Sequence, residues 1–296
     1  MSDGEGQRAW HLPLRPPGST LRTSHHDRLI AERFNEAAKR VILSLQDFFI
    51  LAGKAIAFMF ARPFYGGDVI QQMDAIGVQS LSIVLLTGFF TGMVLALQSS
   101  VELQTFGATI YIGRLVAGSM VRELGPVLAD LMVAGRVGSG IAAQLGSMKV
   151  TEQIDALNTL GTDPIKKLVT PRVLAALVML PVLTILNDFA GILGGSIIAK
   201  IYVGIPPSLY WRTVLEQMVS DGFAFRVIPN DLIQGLVKPF VFGGIIALTG
   251  CHFGLTTTGG TEGVGTSTTR TVVTASITIL IVDYFLTQLL LSVLHP

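Results

Sequence analysis

The chain has 296 residues, half of them hydrophobic and 14% charged, with a mean hydropathy of +0.60. Soluble domains carry about 25% charged residues, so the composition excludes an ordinary soluble fold and reads as an all-α polytopic membrane protein. A formal net charge of +1 offers no basic field for nucleic acid, and the single cysteine, Cys251, can form neither an intramolecular disulfide nor a cysteine metal site.

Residues 1–27 mix Gly, Pro, Ser, His and Arg without periodicity, which predicts a flexible tail. No signal peptide is visible, so the N-terminus is expected in the cytoplasm. Residues 28–64 start charged, with Arg33, Glu36, Lys39 and Arg40, and turn apolar around Gln46, Asp47 and Lys54. That pattern predicts an interfacial helix lying along the bilayer, with a spanning helix as the other reading. Residues 65–296 read as the transmembrane domain.

A span needs about 20 apolar residues at a rise of 1.5 Å to cross about 30 Å of hydrocarbon. Five stretches meet that requirement: 78–99, 112–145, 173–203, 232–255 and 271–294. The second would be about 50 Å long if continuous, and Gly125-Pro126 inside it predicts a kink or break. With the N-terminus inside, the 149–172 loop is cytoplasmic and the C-terminus lies outside. Lys149, Lys166, Lys167 and Arg172 agree with positive charge on the inner side, while Arg212 and Arg226 in the expected outer loop 204–231 run against it. Cys251, in the fourth span, is expected to pack as a small hydrophobe.

Three spans carry small residues at every fourth position. They are Gly88, Gly92 and Ala96; Ala134, Gly138, Ala142 and Gly146 beside Gly135, Ser139, Ala143 and Ser147; and Gly191, Gly195 and Ala199. Such ridges let helices approach closely in lipid, either within one subunit or across a homodimer contact.

The second span also holds Arg114, Arg122, Glu123, Asp130 and Arg136, charges that must face protein, water or a lipid headgroup. Helical spacing predicts an acidic stripe of Glu123 and Asp130 and a basic stripe of Arg122 and Arg136, with Arg114 and Arg136 suited to the helix ends. Arg122 and Glu123 read either as a structural ion pair or as the lining of a polar headgroup cavity. Asp188 and Asp283, alone in the third and fifth spans, are expected to hydrogen-bond to neighbouring helices.

In the cytoplasmic loop, Thr151 and Glu152 are placed to start a short helix and Gly161 to end it, which predicts a docking helix near 150–161. Asp155-Ala156-Leu157 followed by Gly161 resembles the EAA loop through which ABC importer permeases contact their ATPase, with Asp155 in place of its Glu. The ordered series Arg122-Glu123-Leu124-Gly125-Pro126-Val127, Ala134-Gly135-Arg136-Val137-Gly138-Ser139, Thr151-Glu152-Gln153-Ile154-Asp155-Ala156-Leu157 and Asp163-Pro164 is similar to the MlaE permease family of MCE-type ABC transporters. The stretches 92–98, 268–273 and 283–287 match it as well, and the resemblance covers roughly residues 64–294.

The resemblance implies a homodimer in the bacterial inner membrane, each subunit with an interfacial helix, five transmembrane helices and a cytoplasmic coupling helix. The implied partners are ABC ATPase subunits, a periplasmic ring of MCE-domain subunits and a small accessory cytoplasmic subunit, and the implied cargo is phospholipid or a related lipid. By position, Leu97, Gln98, Arg122 and Glu123 would line the lipid cavity. Glu152, Gln153, Asp155, Ala156, Leu157 and Gly161 would form the ATPase-coupling surface.

No G-x-x-x-x-G-K-[ST] loop is present and Gly53-Lys54 lacks its earlier glycine, so no cofactor is expected on this chain and ATP belongs on a partner. H-E-x-x-H, G-x-S-x-G and Cys/His clusters are also absent, so no catalytic residue and no metal site is expected. Two competing functions stand beside the permease reading. One is a stand-alone secondary transporter or ion channel using Glu123, Asp188 and Asp283; the other is a non-transporting scaffold for an MCE ring.

Overall fold

The computed structural model describes residues 25–59, 61, 65–220, 223–224 and 228–294. The helices are α1 His25–Met59, α2 Gly66–Ile76, α3 Leu81–Thr105, α4 Ile112–Ser119, α5 Gly125–Val133 and α6 Ser139–Val150, then α7 Gln153–Thr159, α8 Thr170–Ile198, α9 Pro207–Ser220, α10 Asn230–Leu255 and α11 Gly260–Leu294. Among the described residues, the only strands are the two-residue antiparallel pair Phe223–Ala224 and Ile228–Pro229. The expectation for the tail lies outside the described residues as far as residue 24, and His25 to Asp27 are already helical.

Six stretches among the described residues are long and apolar enough to cross a bilayer: Ile42–Met59, Gly66–Thr105, Thr109–Val150, Ile165–Val203, Asn230–Leu255 and Gly260–Val293. The protein is thus an all-α, multi-pass membrane protein, and the last five stretches cover the five expected spans apart from Leu294 at the end of the fifth. Ile42–Met59, at 18 residues, reaches about 27 Å, the lower limit for a span.

The chain divides into two compact units between Gln46 and Asp47, inside α1. In the first unit the helix exposes Ile42, Leu43 and Leu45. In the second, Leu51 and Ala55 are buried, the Phe48 ring meets His252 at 5.9 Å between centroids, and Lys166 Nζ stands 5.9 Å from the Phe58 ring centre. Lys54 shares a cleft with Lys149, Asp155 and Leu255. Within this unit α1 therefore crosses the ends of α6 and α10 and the approach to α8, and does not run alongside one span.

The tightest packing joins α3 to α8. A Cβ on Gly88 would strike Asn187, one on Gly92 would strike the Gly191 backbone, and one on Gly194 would strike the Phe89 carbonyl. The first and third small-residue ridges thus face each other inside one subunit, and their function is helix packing. The second ridge splits: Gly138 lies against Thr271 and Ile246 and Gly146 against Thr257, whereas among the described residues nothing lies within 4 Å of a Cβ on Gly135. Cys251 is buried in the main apolar cluster, as its surroundings suggested.

Helix α9, 14 residues or about 21 Å, is too short to span and occupies part of the expected 204–231 loop. Tyr210 pins it: the side chain is buried, its hydroxyl donates to the Ile192 carbonyl at 3.1 Å, and burial pushes the phenol pKa above its usual range.

The Gly125-Pro126 break does not form. The chain stays helical from Ile112 to Val150 by inserting two π-helical turns, Met120–Leu124 and Ala134–Gly138. A π turn accommodates proline because the carbonyls before it need not be met by the missing amide, and Pro126 sits in the first turn of α5, where that amide is dispensable.

Candidate functional site

The π turn Met120–Leu124 carries Arg122 and Glu123, and each finds a partner on α10. Arg122 Nε donates to Asp231 Oδ1 at 2.8 Å and Nη2 to Oδ2 at 3.2 Å, the paired geometry that suits a guanidinium and a carboxylate. Gln217 Nε2 on α9 also donates to Asp231, at 3.2 Å, and Arg114 Nε donates to Gln217 Oε1 at 2.8 Å. The chain Arg114, Gln217, Asp231, Arg122 ties α4, α9, α10 and the π turn together.

Glu123 belongs to a second cluster. Lys238 Nζ donates to Glu123 Oε2 at 2.6 Å and lies 3.1 Å from Asp283 Oδ1, while Thr287 donates to the other Glu123 oxygen at 3.0 Å. The Lys238 side chain is 1% exposed and that of Glu123 42%, so the lysine is the buried anchor and the glutamate the group it presents outward. A lysine in the middle of a span is tolerable only with such partners. Asp283 thus has an ion-pair partner on a neighbouring helix in place of the expected hydrogen bond, since its Oδ1 is buried with no hydrogen-bond partner among the described residues.

These groups border an open pocket of about 400 Å³ lined by Tyr111, Leu115, Gly118 and Ser119 together with Arg114, Arg122, Glu123 and Gln217. Two guanidiniums and one carboxylate on its wall can bind a zwitterionic or anionic group, and the small residues leave room for it. Leu97 and Gln98 lie on the exposed face of α3, outside this pocket.

The two charge stripes expected along the second span are not formed. Glu123 faces α10 and α11, but Asp130 is fully buried with no hydrogen-bond partner among the described residues, and Arg136 donates to Ser80 at 2.7 Å, Gln79 at 3.0 Å and the Ala75 carbonyl at 3.2 Å. Each π turn adds residues to a turn and rotates the later part of the helix away from the 3.6-residue register. Arg136 is also no helix end, since α6 continues to Val150. Asp188 departs from its expectation too: Oδ1 is buried with no hydrogen-bond partner among the described residues. Glu123 and Asp283 meet on Lys238 while Asp188 stands apart beside Gly125, so the three do not line up as a relay.

Lys238 and Asp231 are not among the residues singled out from sequence. The signal for Lys238 was a lone cation nine residues into an apolar span; Asp231 was hidden in what read as a loop, because α10 begins at Asn230.

At the other end of the same helical stretch, α6 leads through Thr151 and Glu152 into α7. Thr151 closes α6 rather than opening α7, its hydroxyl donating to the Ser147 carbonyl at 2.9 Å. Glu152 makes the corner in the left-handed conformation, φ 60°, unusual for a residue with a side chain. The end of α7 is as expected: Gly161 has φ 75°, and the amides of Gly161 and Thr162 reach the Asn158 and Leu157 carbonyls, each at 3.0 Å, as in a Schellman cap. Ile154 is buried and anchors α7, while Glu152, Gln153, Asp155, Ala156 and Leu160 are exposed and Leu157 is half-buried. Lys149 Nζ holds Asp155 at 3.0 Å. The outcome is a short, rigidly terminated helix that presents a mixed polar and apolar face.

The family model described as Permease MlaE matches residues 69–289. A probable ABC transporter permease protein of Rickettsia bellii is 42% identical over 264 residues, covering 89% of this chain and 98% of the relative. The intermembrane phospholipid transport system permease protein MlaE of Haemophilus influenzae is 36% identical over 270 residues, covering 88% and 98%. The chloroplastic protein TRIGALACTOSYLDIACYLGLYCEROL 1 of Arabidopsis thaliana is 37% identical over 239 residues, covering 81% and 66%.

Proposed function

The chain belongs to the MlaE permease family, and from that premise we propose that it is the membrane-spanning subunit of an ATP-driven transporter of phospholipid or a related lipid. The observation that carries this reading is the continuous helical stretch Ile112–Val150. It bears Arg122 and Glu123 beside the open pocket and runs directly into the exposed, capped α7. From Glu123 to Val150 is about 40 Å of helix, a lever long enough to connect a cytoplasmic partner with a site on the far side of the bilayer.

In this proposal two copies form the working unit in the bacterial inner membrane, and the exposed faces of α3, with Leu97 and Gln98, close the lipid cavity between them. Support for a second copy comes from the open side of the second ridge at Gly135 and Ser139, small residues that allow a close approach. The part of α1 from Asp47 to Met59 lies in the interface; the crossing of helix ends by Phe48, Lys54 and Phe58 supports this. ABC ATPase subunits grip α7 through Glu152, Gln153, Asp155, Ala156 and Leu157. A periplasmic MCE ring, and a small accessory subunit on the cytoplasmic side, complete the assembly.

ATP belongs to the partner and this chain binds no cofactor. Closure of the ATPases draws the two α7 helices together, and the lever yields at its π turns, Met120–Leu124 and Ala134–Gly138, where it departs from regular α-helix. Arg114 and Arg122 hold the headgroup phosphate, with Glu123 facing its cationic part. The test is lipid transfer by the purified assembly in reconstituted vesicles. ATP-dependent transfer that stops when α7 is altered supports the reading, whereas transfer by this chain alone, driven by an ion gradient, overturns it.

A further inference from the structure

The contact between α5 and α8 holds polar groups that the charged site does not use. Asp130 is 0% exposed, and neither of its carboxyl oxygens has a hydrogen-bond partner among the described residues; Thr184 Oγ1, Asn187 Oδ1 and Asp188 Oδ1 on α8 are buried in the same condition. Asn187 commits its amide to the Gly125 carbonyl at 3.2 Å, and the Asp188 carboxyl occupies the space a Cβ on Gly125 would need. The two helices therefore meet directly over these groups.

Asp130 follows Gly125, the residue against which the Asp188 carboxyl packs, by five positions on α5, which brings the two carboxyls to the same helix contact. Of the other ionisable groups on the surrounding elements, Glu262, Arg270 and Tyr284 on α11 are exposed, and the following are engaged elsewhere. Lys238 and Asp283 serve Glu123, Asp231 serves Arg122, Arg136 is bound to Ser80 and Gln79, and Arg172 at the far end of α8 is bound to the Leu168 carbonyl and Gln144. On α3 the ionisable residue is Glu102, exposed near the helix end.

The cluster is short of hydrogen. Of its five unpartnered oxygens, four belong to carboxyl or amide groups that only accept, and one is a hydroxyl that can donate. Two ionised carboxylates buried with no cation beside them among the described residues are also far costlier than one carboxylate beside one neutral acid. A bound proton answers both needs, since it removes a charge and turns an acceptor into a donor.

We propose that Asp130 and Asp188 form a proton-binding site between α5 and α8, with Asp130 carrying the proton at neutral pH and donating it to an oxygen of α8. Because Gly125 lies against Asp188 and the π turn bearing Glu123 ends at Gly125, losing the proton forces α5 from α8 beside the headgroup pocket.

The full-length protein in lipid nanodiscs tests this by infrared spectroscopy and by thermal unfolding against pH. The expected result is a protonated-carboxyl band at neutral pH that is lost in Asp130→Asn. The folded state binds the proton, so stability is complete at low pH and falls as pH rises through release, and the variant loses that slope. Asp188→Asn breaks the same pair and must flatten the same slope, which keeps the test available if Asp130→Asn does not fold. No protonated-carboxyl band in the parent protein, or a slope unchanged in a folded variant, overturns the proposal. So does stabilisation by sodium over potassium at fixed pH and ionic strength that disappears in Asp130→Asn, because the site would then hold a metal cation.

Discussion

The Lys238 ammonium donates to the Arg122 main-chain carbonyl at 2.8 Å, the carbonyl whose α-helical donor would be the amide of residue 126, a proline. One side chain from α10 thus compensates the proline in the neighbouring helix while pairing with both Glu123 and Asp283. The distortion of the lever and the charged cluster are one structural unit.

Removing that lysine strands two carboxylates and a carbonyl. Lys238→Met should lower stability by about 3–5 kcal/mol, the cost of taking one partner from a buried ion pair. Adding Glu123→Gln and Asp283→Asn should recover a good part of it. Unfolding of the purified single and triple variants checks this, and equal stability of Lys238→Met and the parent would dissolve the anchor role.

Glu123 is the exposed member of the pair, and Lys238 keeps Asp283 when it is lost. Glu123→Leu should therefore leave folding and assembly intact and reduce lipid transfer about tenfold, the equivalent of one charged hydrogen bond to the cargo. Normal transfer in vesicles would reduce Glu123 to a purely structural residue.

At α7, Glu152→Lys with Asp155→Lys should abolish co-purification of the ATPase while moving thermal stability little. The Lys149–Asp155 pair is solvent-exposed and such pairs contribute about 0–1 kcal/mol. Unchanged recovery of the ATPase would remove α7 from the docking surface. By contrast, Glu152→Gly alone should raise stability by about 1 kcal/mol, because glycine accepts the left-handed corner without strain.

Helix contacts offer a paired comparison. Gly92→Ala drives a methyl group into the Gly191 backbone and should cost about 1–3 kcal/mol. Gly135→Ala meets nothing within 4 Å among the described residues, so it should be neutral in the isolated subunit and weaken self-association. Stability of each variant and the oligomeric state by native mass spectrometry decide both points.

Span positions were legible because the bilayer demands a fixed length of apolar helix, and that demand is met residue by residue along the chain. The Schellman end of α7 was legible for a similarly local reason: glycine at 161 is what a left-handed cap requires. Facing of the Gly88 and Gly191 ridges needed the fold, since a ridge declares that something comes close but not which helix.

Composition, span length and the cap of α7 come from the chain's own chemistry, each set by interactions within a few residues or with solvent. Local pattern alone therefore specified a multi-pass helical protein with a short glycine-capped helix after the second span and marked Arg122 and Glu123 as charges needing partners. Which partners they took, the rescue of Pro126 by Lys238 and the separation of Glu123 from Asp130 emerged with the packing of the helices. Two π turns shift the helical register, and residues more than a hundred positions apart supply the opposing charges; no local pattern encodes either.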